Sequence, residues 1–316
     1  MPVTRSSADM EEFKYRSGSG AMLHAYRWLP EGAPKGIVQI IHGIADYGAR
    51  YAEFAEFLNR AGYLVVAEDH MGHGQSITED APQGYFKGGW FQAVADTYLL
   101  FLDTRRAYPD VPYIFFGHSM GSFMLRTILA KYPHSGIAGA VICGSAWMGK
   151  PLMLGGFAVA SAVCRFKGER HYSDLLQAVM FGSYNAKIKD CRTPYDWVNR
   201  DEAMVDAYCA DPLCGFTPTA GLVREMIGGL RYIHKAETLA AMNKLLPVLF
   251  IAGGDDPVGD YGKGVARAAA EFRKCGMEQV DCKILPLCRH EILNEINRKE
   301  IYQDVTMWIK SVLMDR

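Results

Sequence analysis

Ser119 stands between two glycines in Gly-His-Ser-Met-Gly, residues 117–121, with a β-favouring apolar run before it and helix formers after it. A tight strand-to-helix turn forces its central residue into strained backbone angles and leaves no room for side chains on either flank, which accounts for Gly117 and Gly121. The hydroxyl is then held above a sheet edge at a helix N-terminus, where free N–H groups favour negative charge. A serine so placed becomes a nucleophile when a base takes its proton and an acid orients that base. For a serine on such a turn, the acid and then the histidine follow later in the chain.

The stretch Val-Leu-Phe-Ile-Ala-Gly-Gly-Asp-Asp-Pro, residues 248–257, supplies the acid after a strand. Asp256 is preferred, because two glycines carry the chain over the sheet edge and Pro257 then fixes its exit; Asp255 is the alternative. His290 is the single histidine beyond Asp256 and follows the run at 282–287. It precedes a helix expected from Glu291 onward. Attack on a carbonyl also requires donors for the developing oxyanion, each worth about 3–4 kcal/mol of barrier. The backbone N–H of Met120, next to the serine, supplies one. The N–H of Ile44, in the loop opened by His42-Gly43, supplies the other, with His42 bracing that loop.

The elements needed to position these residues are visible as alternating patterns. Apolar runs at 36–43, 63–70, 113–119, 137–146, 247–256 and 282–287 read as strands, 51–62 and 91–109 as amphipathic helices, and 123–131 as a helix. This alternation predicts an α/β fold: a mostly parallel central sheet with helices on both faces. The rhythm breaks between residues 147 and 234, where the text is helical and rich in Met, Phe and Tyr. So long an insertion exceeds a plain loop. It is expected to form a helical cap, or lid, with 1–146 and 235–316 making the core.

A chain of 316 residues with 49% hydrophobic and 22% charged residues and a formal net charge of -1 is a globular protein with a sizeable core. It shows no basic stripe of the kind that binds nucleic acid. The first twenty residues lack the apolar centre of a secretion signal, and no apolar run reaches the roughly 18 residues that cross a bilayer. A cytoplasmic location is expected. Eight scattered cysteines without a Cys-x-x-Cys pair read as reduced, mostly buried thiols that hold no metal.

The chain resembles the α/β-hydrolases, and within them the monoacylglycerol lipase and lysophospholipase-like group related to the serine aminopeptidases. The blocks that carry the resemblance lie at 40–58, 65–76, 115–122, 252–260 and 289–295, spread across the core and absent from the cap. The resemblance implies the same roles for Ser119, Asp256, His290, Ile44 and Met120, and it makes Asp69, His70, Gly72, His73 and Gly74 scaffold around the pocket. A zinc site there lacks a third protein ligand. Two positions depart from the group: Ser122 replaces a glycine after the turn, and Leu293 replaces a second histidine three residues past His290. Without that histidine, recognition of the leaving alcohol falls to Asp46 and Arg50, unless these form a surface pair.

Together these residues imply a serine esterase or lipase that needs no cofactor and cleaves small or medium hydrophobic esters, such as monoacylglycerols or lysophospholipids. The apolar, Met-rich cap suits an acyl chain and transient contact with a membrane surface. An aminopeptidase on the same triad would need an acid in the cap for a free amine, for which Asp201, Glu202 and Asp206 are candidates. A non-catalytic binding module on the same fold is the remaining alternative.

Overall fold

The structure, a computed structural model, describes residues 10–314; the first nine residues of the segment read above as lacking a leader fall outside it. Two strands open the chain, β1 (Met10–Arg16) and β2 (Met22–Trp28), followed by β3 (Gly36–Ile41), α1 (Ala52–Arg60), β4 (Tyr63–Glu68), α2 (Trp90–Ala107), β5 (Tyr113–His118), α3 (Met120–Lys131) and β6 (Gly139–Cys143). Helices α4 (Lys150–Lys167), α5 (Asp174–Phe181), α6 (Glu202–Ala210), α7 (Ala220–Ile233) and α8 (Ala236–Ala241) come next. The chain then returns to the sheet with β7 (Val248–Gly253), α9 (Lys263–Lys274), β8 (Val280–Leu285) and α10 (Arg298–Met314).

Among the described residues the strands form one sheet in the order β1-β2-β4-β3-β5-β6-β7-β8. From β4 to β8 the pairings are parallel, whereas β1 and β2 join antiparallel at one edge. This is the expected α/β architecture, with two strands that the apolar pattern did not announce. Alternation along each buried strand sends side chains to two cores. Ile37, Tyr113 and Phe115 pack with α2, α3 and α9, while Val38, Ile114 and Phe116 pack with α1 and α10.

Between β6 and β7 the described chain contains helices and no strand, apart from an isolated bridge between Tyr172 and Thr219. Helix α7 packs on α3 and α4 and carries buried residues on the core side. The helix expected from Glu291 begins only at Arg298. Before it the chain makes a short 3₁₀ turn at Ile292–Asn294, because the Glu291 N–H bonds to the Val198 carbonyl at 2.7 Å and the Glu295 carboxylate is drawn to Arg200 at 2.8 Å. No helix among the described residues is long and apolar enough to cross a membrane.

The turn at Ser119 is as crowded as its glycines imply. Ser119 has φ 53° and ψ −121°, a conformation rare for a residue with a side chain. A Cβ on Gly117 would lie 2.6 Å from the Gly121 carbonyl oxygen, and one on Gly121 would lie 2.1 Å from that of Ile41. Backbone cannot yield there as a flexible side-chain tip can. Gly121→Ala is therefore expected to destabilise the protein by roughly 3 kcal/mol or more, read as a lower urea midpoint; an unchanged midpoint would show that the turn relaxes at little cost.

Candidate active site

Five loops at the C-terminal edge of the sheet converge on one cavity of about 520 Å³, whose walls include Ser119, His290, Ile44, Met120 and Asp46. The loops are anchored by backbone. The Ser119 N–H donates to the Cys143 carbonyl at 3.0 Å, and the Gly144 N–H donates to that of Ile251 at 3.0 Å, so the ends of β5, β6 and β7 are stitched in series. Gly144 has φ 56°, and a Cβ there would come within 3.2 Å of His290 Cε1. This glycine gives the imidazole its room. In the sequence it was legible only as one residue of the apolar run at 137–146.

Asp256 and His290 are both buried, and His290 Nδ1 lies 2.9 Å from Asp256 Oδ2. Asp256 also accepts from the Val258 N–H at 2.9 Å through its other oxygen, which fixes the carboxylate plane. Asp255, by contrast, is exposed. Burial pulls the His290 pKa down, but the Asp256 charge and hydrogen bond outweigh it, and the net shift is upward. With Nδ1–H directed to the carboxylate, Nε2 is the ring atom left to accept a proton.

The Ile44 and Met120 N–H groups have no acceptor among the described residues, and both residues line the cavity beside Ser119. The loop carrying Ile44 is braced from both sides. His42 Nδ1–H donates to the Gly43 carbonyl at 2.7 Å, and His42 Nε2 accepts the His70 N–H at 3.0 Å. From the helical segment, the Gly215 N–H and the Tyr208 hydroxyl both bond the Ala45 carbonyl at 3.1 Å. Burial and the neighbouring histidines hold His42 well below the ordinary imidazole range and bring His73 to about 3. Asp69 accepts from the Gly48 N–H at 2.8 Å and the Gln75 N–H at 2.7 Å, and a Cβ on Gly74 would strike its carboxylate. These residues are placed as a buried, hydrogen-bonded frame. No metal-holding group of His, Cys, Asp or Glu exists among the described residues.

Asp46 and Arg50 are not a surface pair. Both are largely buried, and Arg50 donates to Asp46 at 2.8 Å and in a two-pronged bond to Glu291 at 2.8 Å on each prong. Asp46 lines the cavity and Arg50 does not. Burial alone would raise the Glu291 pKa, yet Arg50 brings it down to about 2. The cluster continues into the turn: Tyr51 Oη lies 2.9 Å from Asp46 Oδ2 and 3.0 Å from His118 Nδ1, and His118 Nε2–H donates to the His290 carbonyl at 3.2 Å. Burial and the nearby His290 lower His118 to about 4. Glu291, Tyr51 and His118 carried no spacing signal. The contacts that join Glu291 to Arg50, Tyr51 to His118 and His118 to His290 link residues remote in the chain.

A serine on a strained turn, a carboxylate-oriented imidazole and two free N–H groups on one cavity wall can perform acyl transfer. The family described as serine aminopeptidase, S33, matches residues 32–297. A monoacylglycerol lipase of Mycolicibacterium smegmatis is 30% identical over 97% of this chain and 99% of its own. The mouse monoglyceride lipase is 28% identical over 89% and 87%. A thermostable carboxyl esterase of Bacillus coagulans, solved with glycerol, superposes with a TM-score of 0.89 at 28% identity, covering 98% of this chain and 100% of that one. With that family match across most of its length and a full-length relative at 30% identity, the chain belongs to the serine aminopeptidase S33 family of α/β-hydrolases, in its monoacylglycerol lipase-like group.

Proposed function

We propose that this carboxylic ester hydrolase works through Ser119 as nucleophile, His290 as general base, Asp256 as the acid that orients it, and the Ile44 and Met120 N–H groups as oxyanion donors. The observation that carries the reading is the 2.9 Å contact of His290 with Asp256 in the same cavity as Ser119 at φ 53°. Ser119 Oγ attacks the ester carbonyl as its proton passes to His290 Nε2. The tetrahedral oxyanion is held by the two N–H groups, and the imidazolium then protonates the departing alcohol oxygen. A water, deprotonated by the same nitrogen, attacks the acyl-serine and releases the acid. No step calls on a metal or organic cofactor.

Residues 147–234 form, in this reading, a cap over the site. Leu152 and Met153 on α4, Met180 on α5 and Met226, Ile227 and Leu230 on α7 give the cavity an apolar wall suited to an acyl chain. The volume falls in the range of sites that enclose small organic ligands. The substrate class is a hydrophobic ester such as a monoacylglycerol or lysophospholipid. Leu152 and Phe166 on α4 are 61% and 82% exposed, and Leu175 on α5 is 58% exposed. This apolar rim supports transient contact of the cap with a lipid surface. The acids considered for an aminopeptidase do not line the cavity: Asp201 caps α6, and Glu202 and Asp206 face Arg192. That favours ester over aminoacyl substrates.

Ser119→Ala is expected to abolish labelling by a fluorophosphonate and to lower kcat/KM on p-nitrophenyl decanoate by about 10⁴-fold or more. Faster turnover of aminoacyl p-nitroanilides than of the ester would overturn the substrate class, and an unlabelled wild type would favour the binding module. The neutral imidazole is the active form, so kcat/KM should fall as pH drops through the His290 pKa. Asp256→Asn removes the charge that raises this pKa; its acid limb should move to lower pH while kcat falls by about 10⁴-fold. An acid limb that stays in place would assign it to another group. For the cap, Phe166→Glu with Leu175→Glu should reduce co-sedimentation with neutral phospholipid vesicles and leave hydrolysis of a dissolved short ester intact. Equal co-sedimentation would remove the rim from membrane contact.

A further inference from the structure

The alcohol that leaves has its own end of the cavity. Resting on the mechanism above, the departing oxygen takes its proton from His290, so the head group must lie beside that ring. The cavity wall there is aromatic. The Trp197 ring centroid is 5.2 Å from His290, Tyr184 meets Trp197 edge-on at 4.8 Å, and Phe181 stacks on Trp197 at 6.2 Å. All three line the cavity together with His290.

The charge of the wall has one sign. Apart from its two histidines, the charged side chains lining the cavity are Asp46, Asp260 and Glu291, with no lysine or arginine among them. The guanidinium bonded to two of these acids is that of Arg50, which is engaged by Asp46 and by both oxygens of Glu291. Two carboxylates against one guanidinium leave that cluster a net charge of -1, and Asp260 adds to it. Aromatic faces attract a cation through the ring quadrupole, most strongly a desolvated ammonium. A phosphate in the same place would find no cationic donor and would face carboxylates, a like-charge juxtaposition that costs several kcal/mol.

We infer that the alcohol end of the cavity is a site for an ammonium-bearing or uncharged head group, and that it rejects esters whose alcohol carries a phosphate. Within the substrate class proposed above, this selects acylglycerols and acyl esters of amino alcohols over lysophospholipids. In a lysophospholipid the phosphate sits close to the reacting ester, so a distal ammonium does not relieve the conflict.

The test keeps one acyl chain and varies the alcohol, comparing decanoyl esters of glycerol, choline and glycerol phosphate. The choline ester is expected to match or exceed the glycerol ester in kcat/KM, and the phosphate ester to fall about 100-fold below it. A phosphate ester within about threefold of the glycerol ester, or a choline ester more than about tenfold below it, would overturn the inference. Failure of all three esters would instead overturn the hydrolase mechanism on which it rests. Trp197→Leu should lower the choline-to-glycerol ratio of kcat/KM by about tenfold, with an unchanged circular dichroism spectrum and urea midpoint reporting that the variant is folded; an unchanged ratio counts against the aromatic wall. On the wild type, decyltrimethylammonium below its micelle concentration should compete with the glycerol ester and decyl sulfate should not. The reverse order would sink the proposal without any variant.

Discussion

Everything at the active edge depends on how closely three backbone segments approach where β3 and β5 end and α3 begins. The Gly121 position lies so near the Ile41 and His42 carbonyls that no side chain fits, and Gly43 sits against Ser119 with the same economy of space. That crowding holds Ser119 in a left-handed conformation, which costs of order 1–3 kcal/mol locally and is held by the surrounding sheet. A nearly complete shell of buried residues along α3 supplies the restraint. The strain and the cavity are two sides of one arrangement. Relaxing the turn would withdraw both the hydroxyl and the Met120 N–H from the wall.

A second layer of order is ionic. Arg50, Asp46 and Glu291 tie the loop after β3 to the loop after β8, and Tyr51 and His118 extend the tie to the turn after β5. Desolvation opposes burying such charges, and removing one partner of a buried set typically costs about 3–5 kcal/mol, far more than the set contributes net. Here pairing wins over burial at Glu291, as its depressed pKa shows. The value of the cluster is positional. Three loops that share no secondary structure are held at fixed separations around the cavity.

Much of this was legible in the sequence because the turn leaves a compositional mark. Gly117 and Gly121 are demanded by backbone contacts of under 3 Å, so no other residue type substitutes for them. The central strands were legible for a similar reason: they are buried on both faces and read as unbroken apolar runs. Strand β1 is held by its ladder to β2 rather than by burial, and most of its side chains are exposed, so its composition carried no such mark. The late start of α10 was hidden because it follows from tertiary bonds of Glu291 and Glu295. Arg50 and Glu291 lie 241 residues apart, and nothing in either local stretch announces the other.

The treatment of histidine brings these layers together. Five histidines, His42, His70, His73, His118 and His290, lie around the site, and a sequence cannot say which of them exchanges protons near neutral pH. The fold separates them by environment. His42 and His73 are buried among other imidazoles and bonded to backbone carbonyls, and His118 sits against His290; each is driven toward the neutral form. His290 is no less buried, yet unlike those three it has a carboxylate on its ring nitrogen, and its shift runs the other way. Groups of one chemical type pushed apart in pKa are the mark of divided roles. The same Asp256 that turns the ring also raises its basicity, so orientation and proton affinity are set by a single contact.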